Sequence, residues 1–186
     1  LLAMNDALAG RFPEAAAAMA ALVAERPDDI AAQANLADIL GFDNRTAEAI
    51  ERLESVIAGG TDNPVIWHNY GVLLLQSGRI AEAEEAHRRS LRLKPASGMG
   101  WRHLAELKKF RDGDADLRRM LDAAKDATLD SENRMQLDFA LGKAFADIGR
   151  HDRAFEHMAR ANSARRGMFA FDIAAHERWV DAIIAA

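Results

Sequence analysis

The same residue types return every thirty-four positions along the chain. Leu36-Ala37, Tyr70-Gly71 and Leu104-Ala105 form one such series, Asn44 and Gly78 another, Ala15, Ala49 and Ala83 a third, and Pro27, Thr61 and Pro95 a fourth. A period of this length is one supersecondary unit that cannot bury its apolar face alone and must stack on its neighbours. That constraint excludes most globular architectures before any single residue is considered.

The clearest copy runs from Pro64 to Ser97. Trp67 opens it, followed by Tyr70-Gly71, Leu74, Gly78, Ala83 and Pro95. Each type has a mechanical reason. Gly71 and Ala83 are small where two helices cross closely. Gly78 supplies a left-handed residue at the end of the first helix, and Pro95 cannot continue the second because it has no amide hydrogen. Asn63-Pro64 reads as an N-cap followed by proline at the first helical position. In this spacing the copy resembles the tetratricopeptide repeat, with His87 departing from the pattern at a mark usually held by Phe.

That resemblance implies an all-α fold, a right-handed superhelical solenoid of antiparallel helix pairs with about four to five repeats and a C-terminal capping helix. The expected boundaries are a partial repeat over 1–29, regular repeats over 30–63 and 64–97, a degenerate repeat over 98–131, a further repeat over 135–168 and a capping helix over 171–186. The 30–63 copy has Asp28 or Asp29 as its cap, and Gln33 replaces Trp. The first copy retains half of its first helix (Leu2, Ala3), then Gly10, Phe12, Ala15, Met19 and Leu22. Beginning inside a repeat, and with Leu, the chain is expected to extend further toward its N-terminus.

After Leu104-Ala105 the register decays. Gly98-Met99-Gly100 reads as a turn, Asp112-Gly113-Asp114 as another, and the helix carrying Leu117, Leu121 and Ala124 lacks the small-residue signature. Three extra residues precede a restart capped by Ser131, so Gly142 falls thirty-seven residues after Ala105. Ile173, Trp179, Val180, Ile183 and Ile184 make the last helix amphipathic, and it is expected to cover the open end of the stack.

Composition agrees. Alanine-rich helices with four prolines favour an all-helical chain. The longest apolar run, residues 15–24, is ten residues and too short to cross a bilayer, so no membrane association is expected. No cysteine is present, which removes disulfides, thiol catalysis and thiolate metal sites together. A cytoplasmic protein fits. Residues 79–119 carry eleven basic and seven acidic side chains, whereas 1–78 carry four and eleven. This basic belt reads either as attraction for an acidic peptide or as a solvated helical face. The net charge of −5 speaks against nucleic acid.

The repeat resemblance implies that function lies in the concave groove lined by the first helix of each pair. The expected groove residues are Asn35 and Asp38, then His68, Asn69, Val72 and Gln76, then Arg102, His103, Glu106 and Lys109, then Phe139 and Lys143, with Asp147 beyond. Asn35 and Asn69 hold one place in successive copies. This resembles the asparagine ladder of O-linked N-acetylglucosamine transferase repeats, in which amides hold an extended peptide backbone. Asparagine suits that task because it donates and accepts at once. His103 and Ala140 interrupt the ladder. The carboxylate clamp of chaperone-binding repeats is not matched, because Met4, Ala7 and Leu8 stand where Lys and Asn are needed.

Catalytic patterns fail. Leu141-Gly142-Lys143-Ala144 lacks the leading glycine and following Ser or Thr of a phosphate loop. His87 reads as a packed histidine, and His68, His103 and Glu106 as a weak metal set, so no catalytic residue, cofactor or metal is expected. His151, His157 and His176 have no partner pattern.

Residues 100–110, 114–120, 135–145, 147–151 and 153–157, with Ala161-Asn162, resemble the repeat region of bacterial tetratricopeptide sulfotransferases, over about residues 64 to 186. In that family a sulfotransferase domain with a phosphosulfate-binding loop follows the repeats, and this chain holds no such loop. The resemblance implies a non-catalytic scaffold that binds a protein or peptide partner for a larger sulfotransferase-like protein. The alternative is a structural or dimerising module whose groove is filled by its own helix or by another copy.

Overall fold

The computed structural model describes residues 7, 9–168 and 173–184. The half helix expected at Leu2 and Ala3, and the clamp positions Met4 and Leu8, lie outside them. Among the described residues there are ten delimited helices and no strand. They are α1 (Phe12–Glu25), α2 (Ile30–Phe42), α3 (Thr46–Ala58), α4 (Pro64–Gln76), α5 (Ile80–Leu93), α6 (Gly98–Leu107), α7 (Ala115–Ala123), α8 (Ser131–Asp147), α9 (His151–Gly167) and α10 (Ile173–Ile184).

The period is written into the helix ends. Asp29, Asn63, Ser97 and Asp130 cap α2, α4, α6 and α8, each side chain accepting a backbone amide at 2.7–3.2 Å. These caps satisfy amides that the first helical turn leaves without partners. At the other end of α2, α4 and α8 the chain turns through Asn44, Gly78 and Gly149, with φ of 60°, 79° and 73°. The next amide, of Arg45, Arg79 or Arg150, then donates back to Leu40, Leu74 or Phe145 at 2.8–2.9 Å. This closed turn reverses the chain and starts the second helix of the pair.

Trp67 and Trp101 each donate an indole N–H to a carbonyl six residues back, of Thr61 and Pro95. Gln33 stands in the same place one copy earlier and donates its amide to Pro27 at 3.2 Å. The substitution that weakens the sequence pattern therefore keeps the hydrogen bond.

Small residues set the helix spacing. Ala37 on α2, Ala49 on α3 and Ala83 on α5 are fully buried. A Cβ on Gly71 would lie 2.8 Å from the His87 ring, and one on Gly142 would lie 2.7 Å from the Met158 side chain. In the fourth pair the place of Ala49 and Ala83 is taken by Leu117. There α6 packs chiefly against α8, and the backbones of α6 and α7 make no extended close approach. A leucine between two helices cannot be accommodated at the spacing an alanine allows.

Three expectations are corrected here. Gly98-Met99-Gly100 is the first turn of α6, with Ser97 as its cap. The cap of α8 is Asp130 and not Ser131, because the Asp130 carboxylate accepts from Asn133 N at 2.7 Å. The register slip is an added helical turn rather than a longer loop: the cap precedes the small residue by eight positions in α2, α4 and α6 but by twelve in α8. That added turn carries Asn133, whose side chain accepts from Gly98 N at 2.9 Å.

The last helix is a fourth correction. Ile173, Trp179, Ile183 and Ile184 are all more than half exposed, so α10 does not cover the open end of the stack. The preceding helix, α9, buries only Ala154 and Ala161 and leaves Phe155 exposed as well.

The apolar core falls into two clusters, one from Ala15 to Ala86 and one from Leu91 to Ala154. Both run along the stack, as nearest-neighbour packing requires.

Gly98 gives a direct test of the α6–α8 contact. A Cβ there would lie 2.0 Å from the Asn133 carbonyl oxygen, which is backbone and cannot swing aside. Gly98→Ala is expected to lower stability by about 1–3 kcal/mol in chemical denaturation, the usual cost of overpacking. The same change at Gly10, where a Cβ would meet nothing, costs only the strain of its positive φ of 75°.

Candidate functional site

The first helices of the second and third pairs build a shallow cleft of about 220 Å³. Its walls are Asp38, Gly41 and Phe42 from α2, and His68, Asn69, Val72, Leu73 and Gln76 from α4. Gly41 permits this closeness, since a Cβ there would lie 2.9 Å from Leu73 Cδ2. Asp38, His68, Asn69, Val72 and Gln76 are thus brought together. Asn35 is half-buried on α2, one turn before Asp38, and does not line the cleft.

The cleft is polar and incompletely paired. Asp38 is exposed at its mouth, and desolvation by the surrounding wall pushes its carboxyl up to about 6, while Asn69 pulls the other way. Water reaching the side chain limits that rise. Asn69 is 8 % exposed; its side chain acts on the Asp38 carboxylate, but its Nδ2 makes no well-formed hydrogen bond.

Further along, Arg102 packs its guanidinium 4.6 Å from the Phe139 ring centre and donates to Glu106 at 3.0 Å and to Gln136 at 3.2 Å. These four side chains form a second patch on α6 and α8. Lys109 does not join it, because α6 ends at Leu107 and Lys109 lies exposed beyond the helix. Lys143 is engaged internally: its ammonium donates to the Lys108 carbonyl and to Asp147, and it lies 5.3 Å from the Phe110 ring centre. Asp147 also accepts from Phe110 N at 2.9 Å. The end of the shortened α6 is therefore closed by residues that the repeat pattern assigns to the groove.

The basic belt is largely paired within the chain. Arg79 meets Glu54 and Glu82, Arg88 meets Glu84 and Asp116, Arg89 meets Asp62, Arg92 meets Glu85, and Lys108 meets Asp114 and Asp116. The solvated-face reading of that segment accounts for these residues better than an anion site.

Three histidines meet where the two apolar clusters join. His68 from α4, His87 from α5 and His103 from α6 have ring centres 5.4, 5.3 and 5.0 Å apart. His87 fits its expected packing place, fully buried against Gly71. What the spacing did not reveal is that His87, rather than Glu106, accompanies His68 and His103. His68 Nδ1, His103 Nδ1 and both His87 nitrogens are buried without a hydrogen-bond partner. Each unpaired buried group costs about 1–3 kcal/mol.

Burial therefore keeps the cluster neutral. Desolvation, with His103 nearby, lowers His68 to about 4, and desolvation with both neighbours lowers His87 to about 3. His103 is lowered by desolvation, with Glu106 and Arg102 acting in opposite senses. His157 is a different case, seated on Asp138 at 2.6 Å beside Arg160. His151 and His176 are exposed.

The sign of the pH dependence follows. In the unfolded chain these histidines take up a proton near 6.5, whereas the folded cluster resists it until far lower pH. Stability is thus full above 6.5 and falls as pH drops toward 3, with His87 alone contributing a slope of up to about 1.4 kcal/mol per pH unit. His87→Phe, which restores the residue usual in the repeat, is expected to flatten this acid limb in urea denaturation measured from pH 7 to 4. An unchanged limb would show that the cluster does not set it.

Two models of the tetratricopeptide repeat match the chain, over residues 7–64 and 43–99, and together they span half of it. No curated protein matches in sequence. Solved structures similar in fold include MamA, with a TM-score of 0.65 at 14 % identity over 90 % of this chain and 96 % of that one. The structure of YrrB, titled as having an unusual peptide-binding site, gives 0.60 at 13 % identity over 88 % and 83 %. The TPR-like repeats of a Podosopora anserina protein described as a kinesin light chain give 0.61 at 18 % over 91 % and 94 %. At these identities the likeness speaks for the fold. With the thirty-four-residue period, the paired helices and the small residues between them, the chain belongs to the tetratricopeptide repeat proteins.

Proposed function

We propose that the chain is a non-catalytic scaffold that grips an extended peptide along the cleft between α2 and α4. The observation that carries this reading is the buried Asn69 amide, which acts on Asp38 without a well-formed hydrogen bond and sits beside Val72 and Gln76 in a cleft open to solvent. A peptide backbone supplies the carbonyl that this amide lacks, and an extended strand presents such groups repeatedly. Val72 and Phe42 offer apolar contact beside it. Asn35 and the Arg102–Phe139 patch extend the same track at either end. The peptide-binding site named for YrrB, a protein of similar fold, supports the reading.

The likeness of residues 64 to 186 to sulfotransferase repeat regions supports a finer reading, in which the scaffold serves a larger sulfotransferase-like protein and presents an acceptor or partner to it. No residue of this chain carries the transfer in that arrangement. No helix among the described residues is long and apolar enough to cross a membrane.

A second reading has its own observation. α10 exposes Ile173, Trp179, Ile183 and Ile184 together, an apolar surface of the kind that joins subunits. Sedimentation equilibrium separates this from the first, since a monomer whose mass does not change with concentration rules out the dimer.

Binding to an array of extended peptides tests the cleft. Asn69→Ala is expected to weaken the best peptide by about tenfold, the worth of one buried hydrogen bond near 1.4 kcal/mol, with helicity unchanged by circular dichroism. Asn35→Ala is expected to have a smaller effect. Equal affinity in wild type and Asn69→Ala would overturn the proposed grip.

A further inference from the structure

Three imidazoles lie at the seam between the two apolar clusters. α4, α5 and α6 each contribute one ring, and four ring nitrogens are buried there without a partner. Apolar residues would fill this space without leaving polar atoms unpaired, and Phe is the residue the repeat pattern itself expects at position 87. The nitrogens converge: one candidate ligand atom from each ring lies within 4.8 Å of the other two.

We propose that His68, His87 and His103 form a binding site for one divalent transition-metal ion, with Zn²⁺ the best match. Imidazole is a borderline ligand that suits Zn²⁺, whereas Mg²⁺ and Ca²⁺ require oxygen donors. Glu106, the carboxylate that acts on His103, is turned to Arg102 at 3.0 Å, so the set is three nitrogens with a fourth position for water. Four-coordinate Zn²⁺ with Zn–N near 2.0–2.1 Å places its ligand atoms about 3.3–3.4 Å apart. The rings therefore need to draw together by up to about 1.5 Å, a movement within reach of side-chain rotation.

An ion has a way in. His68 lines the cleft shared with Asp38 and Asn69, and also a second one bounded by Pro64, Val65, Ser90, Lys94, Ser97 and Met99. The three ligands come from three consecutive helices, so the ion ties the third helix pair to the first helix of the fourth. The site shares His68 with the peptide cleft, whereas His87 lines neither cleft, so His87→Phe tests the metal site without removing a cleft residue.

The test is calorimetric titration of ZnCl₂ into the chelator-treated full chain, with Tm followed in parallel. One Zn²⁺ per chain and a raised Tm are expected, with no response to MgCl₂. His87→Phe and His103→Gln are each expected to weaken binding by more than about a hundredfold, since even residues behind metal ligands are worth 10–100-fold. His151→Gln, on the exposed face of α9, should bind as wild type. Co²⁺ should give the visible absorption of a four-coordinate ion, lost in both cluster variants. Absence of stoichiometric Zn²⁺ binding overturns the proposal, as does full affinity in a folded His87→Phe or His103→Gln. If His87→Phe does not fold, His103→Gln and the Co²⁺ spectrum decide.

Discussion

Helix pairs in this chain can stack only because their backbones come close at one place, the pair of small residues twelve positions apart. Ala37 with Ala49, Gly71 with Ala83, and Gly142 with Ala154 hold that place. Once the axes are fixed there, the large side chains fall into line. Leu36, Leu40, Leu53, Ile66 and Leu74 lose nearly all contact with water, each worth about 1.5–3 kcal/mol of burial. The fourth pair shows the dependence by exception. With Leu117 in the small position, α6 leaves α7 and settles on α8, which has grown an extra turn to meet it.

Much of this was legible because it is local and periodic. The caps at Asp29 and Asn63, the left-handed turns at Asn44 and Gly78, and the closing prolines are each dictated by a residue's own backbone chemistry. What escaped the sequence depended on objects distant along the chain. Gly98-Met99-Gly100 looks like a turn because glycine disfavours helices, yet Gly98 opens a helix capped by Ser97, and it is glycine because Asn133 leaves room for nothing larger. Lys143 sits at a groove position but closes the end of α6, a demand created only by that helix stopping at Leu107.

The groove residues divide in the same way. Asp38, Asn69, Val72 and Gln76 meet because one repeat follows the next in regular register, and regular register can be counted. The imidazole cluster needs three different positions of three helices. His68 and His103 belong to adjacent groove rows, while His87 arrives from the second helix of the pair, at a mark that reads as packing. Its one visible signal was the replacement of Phe by a polar ring opposite Gly71.

That cluster also bears on how the stack holds together as a whole. In a linear array, cooperativity is passed along by neighbour-to-neighbour interfaces and is limited by the weakest of them. Neutral imidazoles set into the seam between two oily blocks transmit less than apolar side chains in the same places would. The two blocks are therefore coupled through α5, which gives Ala83 and Ala86 to one and Leu91 to the other, and through the imidazoles beside it, and the grip there bears on whether the chain melts as one body or as two.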